Sequence, residues 1–330
     1  MGKSISIASL IVIALGKSVS QEPCLPNQAL NDPTGFAWSL FETVNAVPSA
    51  HTSLVNWQTW ALAESIFAVS SHPPDKVSAS AKGALRNAPN FQAHLFKTPK
   101  KLAGNNFVPE VRINDTGFQF IRANALYSIK GQVSYLERNE KVSFPVGTID
   151  IKAEWAETRD DFSLDESEYL MRRDTVKDAN STQVIRYRLI GLHIASKGIP
   201  NWFWATFVHR NPFGGNRAPV GSPPPRYVTD RLAEKHWQYY NLVCTQTQFT
   251  DEIGLADSCS NFTIEDEGQS SCISCHATAS VTRDIRREIL VENPFAGIPY
   301  WKWYFDTTKV PPQQRYYQMD FVWSLVDRAK

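Results

Sequence analysis

Apolar residues follow two different periods along this chain, and the change from one to the other organises it. Between Phe36 and Phe67 they recur at helical spacing, with Trp38, Phe41 and Val44 on one stripe, then Trp57, Trp60, Leu62 and Phe67 after the break at Pro48. This predicts an N-terminal helical pair. A stretch rich in Pro, Asn and Lys runs from Ser71 to Asn106, and a short helix is predicted over Phe118 to Leu126. From Val142 the period becomes two. Thr148, Asp150, Lys152 and Glu154 alternate with Ile149, Ile151, Ala153 and Trp155, as in a strand with one face buried.

Of the 27 residues from Lys152 to Asp178, 14 are charged, so most of that segment is expected to be a solvated excursion. Val184 to Ile194 and Asn201 to His209 read as a hairpin around Ser196-Lys197-Gly198. Its strands are apolar on both faces and should be covered on both sides. Asn211 to Arg226, rich in Pro, Gly and Asn, is a loop, and Tyr239 to Phe249 resumes a strand pattern. Further on, Val281, Ile285 and Ile289 fall at i, i+4 and i+8, which predicts a helix beginning near Thr278. An aromatic tail follows from Tyr300 to Val326. The fold class expected is α+β: N-terminal helices, a central antiparallel sheet and a C-terminal helical and loop segment. Residues 21–130 form the helical part and 131–330 the β-rich body, within one compact unit.

The first twenty residues have the form of a secretory signal, with Lys3 before an apolar run from Ile5 to Leu15 and small residues at Ser18-Val19-Ser20. No later run approaches the ~20 apolar residues a spanning helix needs. Without the signal, 32 Lys and Arg stand against 33 Asp and Glu. A balanced charge with no basic cluster argues against nucleic acid as a partner.

One motif dictates a chemistry. Cys272-Ile273-Ser274-Cys275-His276 has the C-x-x-C-H form of covalent haem attachment. Two thiols three positions apart reach two vinyl groups of one porphyrin, and the adjacent imidazole binds the iron. Competing readings fit less well. A thioredoxin-like dithiol wants a preceding strand, whereas Glu265-Asp266-Glu267-Gly268-Gln269-Ser270 is acidic and loop-like. A zinc site wants a second ligand pair, and a plain disulfide across two residues is rare.

His209 is the first choice for a sixth iron ligand, with His193, His236 and Met319 as alternatives and a five-coordinate iron also open. Strand register decides whether His193 and His209 share a face. Arg283, Arg286 and Arg287 are possible partners for a haem propionate. In an oxidising compartment Cys244 and Cys259 can close a disulfide, with a pairing that uses Cys24 as the alternative.

Several segments together resemble a family of exported bacterial proteins described as cytochrome c family. They are Phe144 to Trp155, Gly191-Leu192-His193-Ile194, Asn201 to His209, the haem motif with Ala277-Thr278-Ala279-Ser280, and Asp320-Phe321-Val322-Trp323-Ser324-Leu325. The resemblance runs from about Trp38 onward and implies one covalent haem c and a periplasmic place. Two positions depart from the pattern: Val208 stands where a Glu is expected, and Cys244 where a Gly is expected. The expected function is electron transfer with a redox partner protein or a small-molecule donor or acceptor. Its rivals are a haem oxidoreductase of peroxidase type with an open iron, and a gas or small-molecule sensor.

Overall fold

The computed structural model describes residues 26–48, 54–67, 101–102, 105–139, 141–158, 164–177, 182–212, 221–259, 271–284 and 297–329. The signal-like segment, Cys24, most of the Pro-rich stretch, Ile285, Ile289, Arg286 and Arg287 lie outside the described residues.

The main sheet is built from β1 (Ala61–Leu62), β2 (Lys101–Leu102), β3 (Asn105–Ile113), β4 (Ile149–Thr158), β5 (Met171–Lys177), β6 (Thr182–Ser196), β7 (Phe203–His209) and β8 (Tyr240–Gln246). It is antiparallel in the order β1-β3-β4-β6-β7-β8, with β2 on β3 and β5 on β6. Short strands β9 (Ser280–Thr282), β10 (Phe305–Asp306), β11 (Gln313–Gln314) and β12 (Tyr316–Gln318) form two further ribbons, β9 with β12 and β10 with β11. The helices are α1 (Pro26–Asn31), α2 (Pro33–Asn45), α3 (Ala63–Ile66), α4 (Asp115–Ala123), α5 (Ile129–Arg138), α6 (Arg226–Arg231), α7 (Cys272–Ala277) and α8 (Trp323–Asp327). The α+β class is the one expected.

Every residue of β7 is buried, because layers pack on both faces of the sheet. On one face Phe203, Ala205 and Phe207 meet the stripe of α2: Phe36 lies 4.7 Å from Phe203 and Phe41 4.5 Å from Phe207, ring to ring. Each ring buried this fully contributes roughly 2–3 kcal/mol. Asp32 starts α2 by accepting the Gly35 N–H at 2.9 Å, with Pro33 at the first helical position. On the other face Ala195, Trp202 and Trp204 join Phe118, Ile121, Leu136, Cys272, Ile273 and Leu325 in a second core. The motif helix α7 therefore belongs to this second layer.

Four expectations are corrected. The second N-terminal helix is a 3-10 turn over Asn56–Thr59 followed by β1 and the single turn of α3. The charged excursion begins as β4, whose pattern runs on to Thr158, and returns as β5, which carries Arg172. Arg172 meets the buried Glu110 of β3 at 3.1 Å, beside Arg112 at 2.6 Å and the Trp155 indole at 2.9 Å. Strand β3 itself comes from the part assigned to N-terminal helices, and α5 has no counterpart in the expectation. Finally, where a helix is expected to begin near Thr278, the described part is extended: α7 ends at Ala277 and Val281 is buried in β9, paired with Tyr317 of β12, while Ile285 and Ile289 lie outside the described residues. At Val281 the partner strand β12 supplies hydrogen bonds that outweigh a helical spacing of apolar residues.

Candidate functional site

The motif forms α7, and one helical turn sets Cys272, Cys275 and His276 at i, i+3 and i+4, neighbours on one side. Its shape is held from all directions. Ser271 caps the helix by accepting the Ser274 N–H, and its hydroxyl also accepts the amide of Gln246 at the end of β8, at 3.0 Å. The same buried Gln246 accepts the Ile273 N–H at 3.2 Å and donates to Asp257 O at 2.8 Å. Ser274 donates to Gly297 O at 2.7 Å, and Tyr304 OH donates to Ala277 O at 3.0 Å.

The imidazole of His276 donates from Nδ1 to Phe321 O at 2.7 Å. A carbonyl only accepts, so this bond fixes the proton on Nδ1 and leaves the lone pair of Nε2 for a ligand. The carbonyl is delivered by a strained turn. Asp320 and Phe321 both occupy the left-handed region, at φ 49° and 68°, which a residue with a Cβ adopts only when its surroundings enforce it. Those surroundings are the Asp320 carboxylate, which accepts the Lys197 ammonium at 2.7 Å and the Phe144 N–H at 2.6 Å, both in buried positions. A chain of contacts thus runs from the Lys197 hairpin loop through Asp320 to His276.

The His276 ring packs on Trp204 of β7 at 4.5 Å and lies 6.3 Å from the ring of His193 on β6. Register puts Thr206 opposite His193, and their Nδ1 and Oγ1 are 2.7 Å apart. Burial pushes the His276 imidazole down to about 4, and His193 falls well below its ordinary range through burial and the neighbouring His276. Both rings are therefore neutral at pH 7, the form a metal takes.

The other expected ligands stand elsewhere. The pairing of His193 with Thr206 places His209 on the opposite face of the sheet. There His209 stacks on Tyr169 at 3.8 Å, with Nε2 on Glu168 O and Nδ1 accepting the Asn211 N–H, so both ring nitrogens are engaged. The first-choice sixth ligand is thereby corrected: it faces the α2 core, away from the motif. His236 sits beside Trp237 in that same core. Met319 is fully buried within the motif's own layer, its N–H donating to Ala279 O at 2.8 Å. Arg283 lies over the Tyr317 ring at 4.3 Å. Val208 occurs on the β7 face that carries Trp204 and Thr206.

Cys244 and Cys259 form a disulfide, with Cα atoms 5.9 Å apart. Cys272 and Cys275 carry thiols outside it. The Cys272 sulfur rests 3.7 Å from that of Cys259. One substitution exploits this. Cys244→Ser removes the partner of Cys259 and leaves Cys272 as its nearest sulfur among the described residues, so air-oxidised apoprotein is expected to contain a Cys259–Cys272 disulfide. Peptide mapping after acid quench and alkylation reads it; a Cys259 that alkylates in full sinks the expectation.

The residues fit covalent haem in the turn that groups two thiols with a neutral, Nδ1-anchored imidazole. They depart in two respects: Cys272 must leave its contact with Cys259 to bond a vinyl carbon, and the Trp204 ring, 4.5 Å from that of His276, must shift to admit a macrocycle. A cavity of about 780 Å³ borders the site through Ala277 and Phe321, walled by Phe144, Trp301 and Tyr304, with Lys141 and Lys197 at its edge. Neither thiol nor His276 lines it.

Sequence reasoning singled out Cys272, Cys275, His276 and His193 but missed Lys197, Asp320, Phe321, Thr206, Gln246 and Ser271 as supports. The only sequence signal for Asp320 and Phe321 was their place in the Asp320 to Leu325 segment. Among the described residues no helix is long and apolar enough to cross a membrane. No family model, no curated protein and no solved structure matches this chain.

Proposed function

We propose that this chain is an exported c-type cytochrome that holds one haem through Cys272 and Cys275, with His276 on the iron, and passes single electrons to a protein or small-molecule partner. The observation that supports it most is the His276 Nδ1–H donated to Phe321 O at 2.7 Å, which leaves the Nε2 lone pair available on the same turn as two thiols. When bound, a haem supplies reversible one-electron exchange between ferric and ferrous iron. The chain's own residues orient the imidazole through Phe321 O, keep it neutral and pack Trp204 on its ring; hydrogen bonding and packing of this kind tune a redox group.

A haem oxidoreductase is the second reading, favoured by the cavity beside Phe321, whose size falls within the range of roughly 300–1,000 Å³ of small-molecule sites. Export from a host with a cytochrome maturation system, followed by a denaturing gel, tests the proposal. The expected band carries peroxidase stain and the added mass of one haem, and Cys272→Ala with Cys275→Ala abolishes both. An unstained band at the mass of the bare chain overturns it. Slow binding of CO and peroxide supports the electron carrier; fast turnover of peroxide supports the oxidoreductase.

A further inference from the structure

We infer that Cys244, Cys259, Cys272 and Cys275 form a thiol–disulfide exchange centre, in which the two motif sulfurs take over the disulfide of β8 while the chain carries no haem. The inference goes beyond the haem reading and does not need it. Exchange begins when a thiolate meets one sulfur of a disulfide, and it passes through a mixed disulfide. The Cys272 sulfur lies 3.7 Å from that of Cys259, the buried member of the Cys244–Cys259 bond. A disulfide is about 2 Å long, so these two sulfurs are one short displacement from bonding.

Three elements bring the sulfurs together, and one amide ties the three. Cys244 lies on β8 opposite Thr206 and packs into the layer that holds the motif. Cys259 follows on the segment leaving β8, and Cys272 opens α7. Gln246, buried two positions after Cys244, donates to Asp257 O at 2.8 Å and to Ser271 Oγ at 3.0 Å, and accepts the Ile273 N–H at 3.2 Å. It thus grips strand, loop and helix within two positions of Cys244, Cys259 and Cys272. Cys259 and Cys272 are buried, at 4% and 3% exposure, which shields their contact from other chains and keeps the reaction internal. Cys275 is half-buried, one turn further along α7.

The reaction balances within the chain. The Cys272 thiol gives up its proton and its sulfur bonds that of Cys259; the Cys244–Cys259 bond breaks, and the Cys244 sulfur leaves with the electron pair and takes up a proton. Cys275 then attacks Cys272 in the same manner and frees Cys259, leaving a C-x-x-C disulfide of the redox-active kind. Two electrons have passed from the motif thiols to Cys244 and Cys259 without an outside oxidant or reductant. On the haem reading, a motif closed as Cys272–Cys275 has no thiol for a vinyl group, so the exchange governs when the motif accepts its cofactor.

The experiment uses the full-length exported chain, made without a cytochrome maturation system and with Cys24→Ser throughout, so that four of the five cysteines remain. Adding Cys275→Ser leaves three, hence one disulfide and one thiol after air oxidation. Acid quench, alkylation and peptide mapping are expected to show two isomers, one bonded Cys244–Cys259 and the other Cys259–Cys272. Each isomer, purified in acid and returned to mildly alkaline native buffer without oxygen or added thiol, is expected to regenerate the same mixture, at a rate independent of protein concentration. Cys244→Ser in place of Cys275→Ser tests the second step in the same way, with Cys259–Cys272 and Cys272–Cys275 as the isomers. In either variant, one isomer alone, isomers that do not interconvert, or a rate that climbs with protein concentration overturns the inference. If a variant does not accumulate, the four-cysteine chain treated with one equivalent of dithiothreitol decides: a Cys259–Cys272 bond among its products supports the exchange, and its absence refutes it. Haem enters none of these readouts, so a bare band on the gel leaves the exchange standing, and a failed exchange leaves the haem standing.

Discussion

Replacing Asp320 by alanine is expected to destabilise the fold by about 3–5 kcal/mol, the usual cost of removing one member of a buried ion pair. The Lys197 ammonium, with its side chain 10% exposed, loses its carboxylate partner among the described residues, and the Phe144 N–H loses its acceptor. The loss also reaches the site. With the carboxylate gone, the turn at residue 320 and Phe321 keeps only the Val322 N–H bond to Met319 O and the packing of Phe321 on Trp204 and Phe249, and the hold of the Phe321 carbonyl on His276 is expected to loosen. Urea unfolding measures the first effect as a lower midpoint at unchanged slope. The second is read as loss of the slowly exchanging His276 Nδ1–H signal in the folded variant. Asp320→Asn keeps an oxygen for Phe144 N–H but no charge for Lys197, so it should fall between the two. A cost under about 1 kcal/mol would mean that the turn is held by its packing and not by the ion pair.

Acid is expected to have a comparable effect. His209, His236 and His276 are pushed down to about 4, burial being the largest cause in each. His193 lies lower than its ordinary range for the same reason. Each ring is neutral in the folded chain and protonates more readily when unfolded, so from pH about 6.5 down to about 4 the unfolded state binds more protons. Stability falls through that window. Each of the first three loses about 2 kcal/mol near pH 4.5 relative to pH 7. Asp150 runs the other way: burial raises its carboxyl to about 7, so it favours the fold at low pH and loses that advantage as the pH rises. It offsets about one histidine, and the net sign remains destabilising in acid. Unfolding midpoints of apoprotein between pH 7 and 4.5 test this. His209→Gln should flatten the slope, and a midpoint that does not move would refute the assigned burial effects.

What the sequence disclosed depended on how local the determining physics is. The alternation from Thr148 to Trp155 and the apolar run from Asn201 to His209 identify strands because burial of alternate or of all side chains leaves a direct mark on residue type. The grouping of the thiols with His276 was legible because residues at i, i+3 and i+4 share one side of a helical turn. By contrast, β5 was concealed by its own charges, since Arg172 is satisfied by Glu110, some 60 residues earlier in the chain. Register was beyond the sequence, and with it the face of His209; only the pairing of His193 with Thr206 separates the two histidines. The carbonyl that orients His276 was invisible for a related reason. Any residue has one, and its placement comes from two left-handed residues that carry side chains.

The long separation between His276 and the carbonyl that secures it has a consequence for the order of folding. Phe321 follows His276 by 45 positions. Closing a loop of that length costs conformational entropy that neighbours in sequence do not offset, so the turn at Asp320 and Phe321 must dock before the imidazole is oriented. Orientation of His276 is thus a late property of the folded body and not of the pentapeptide by itself.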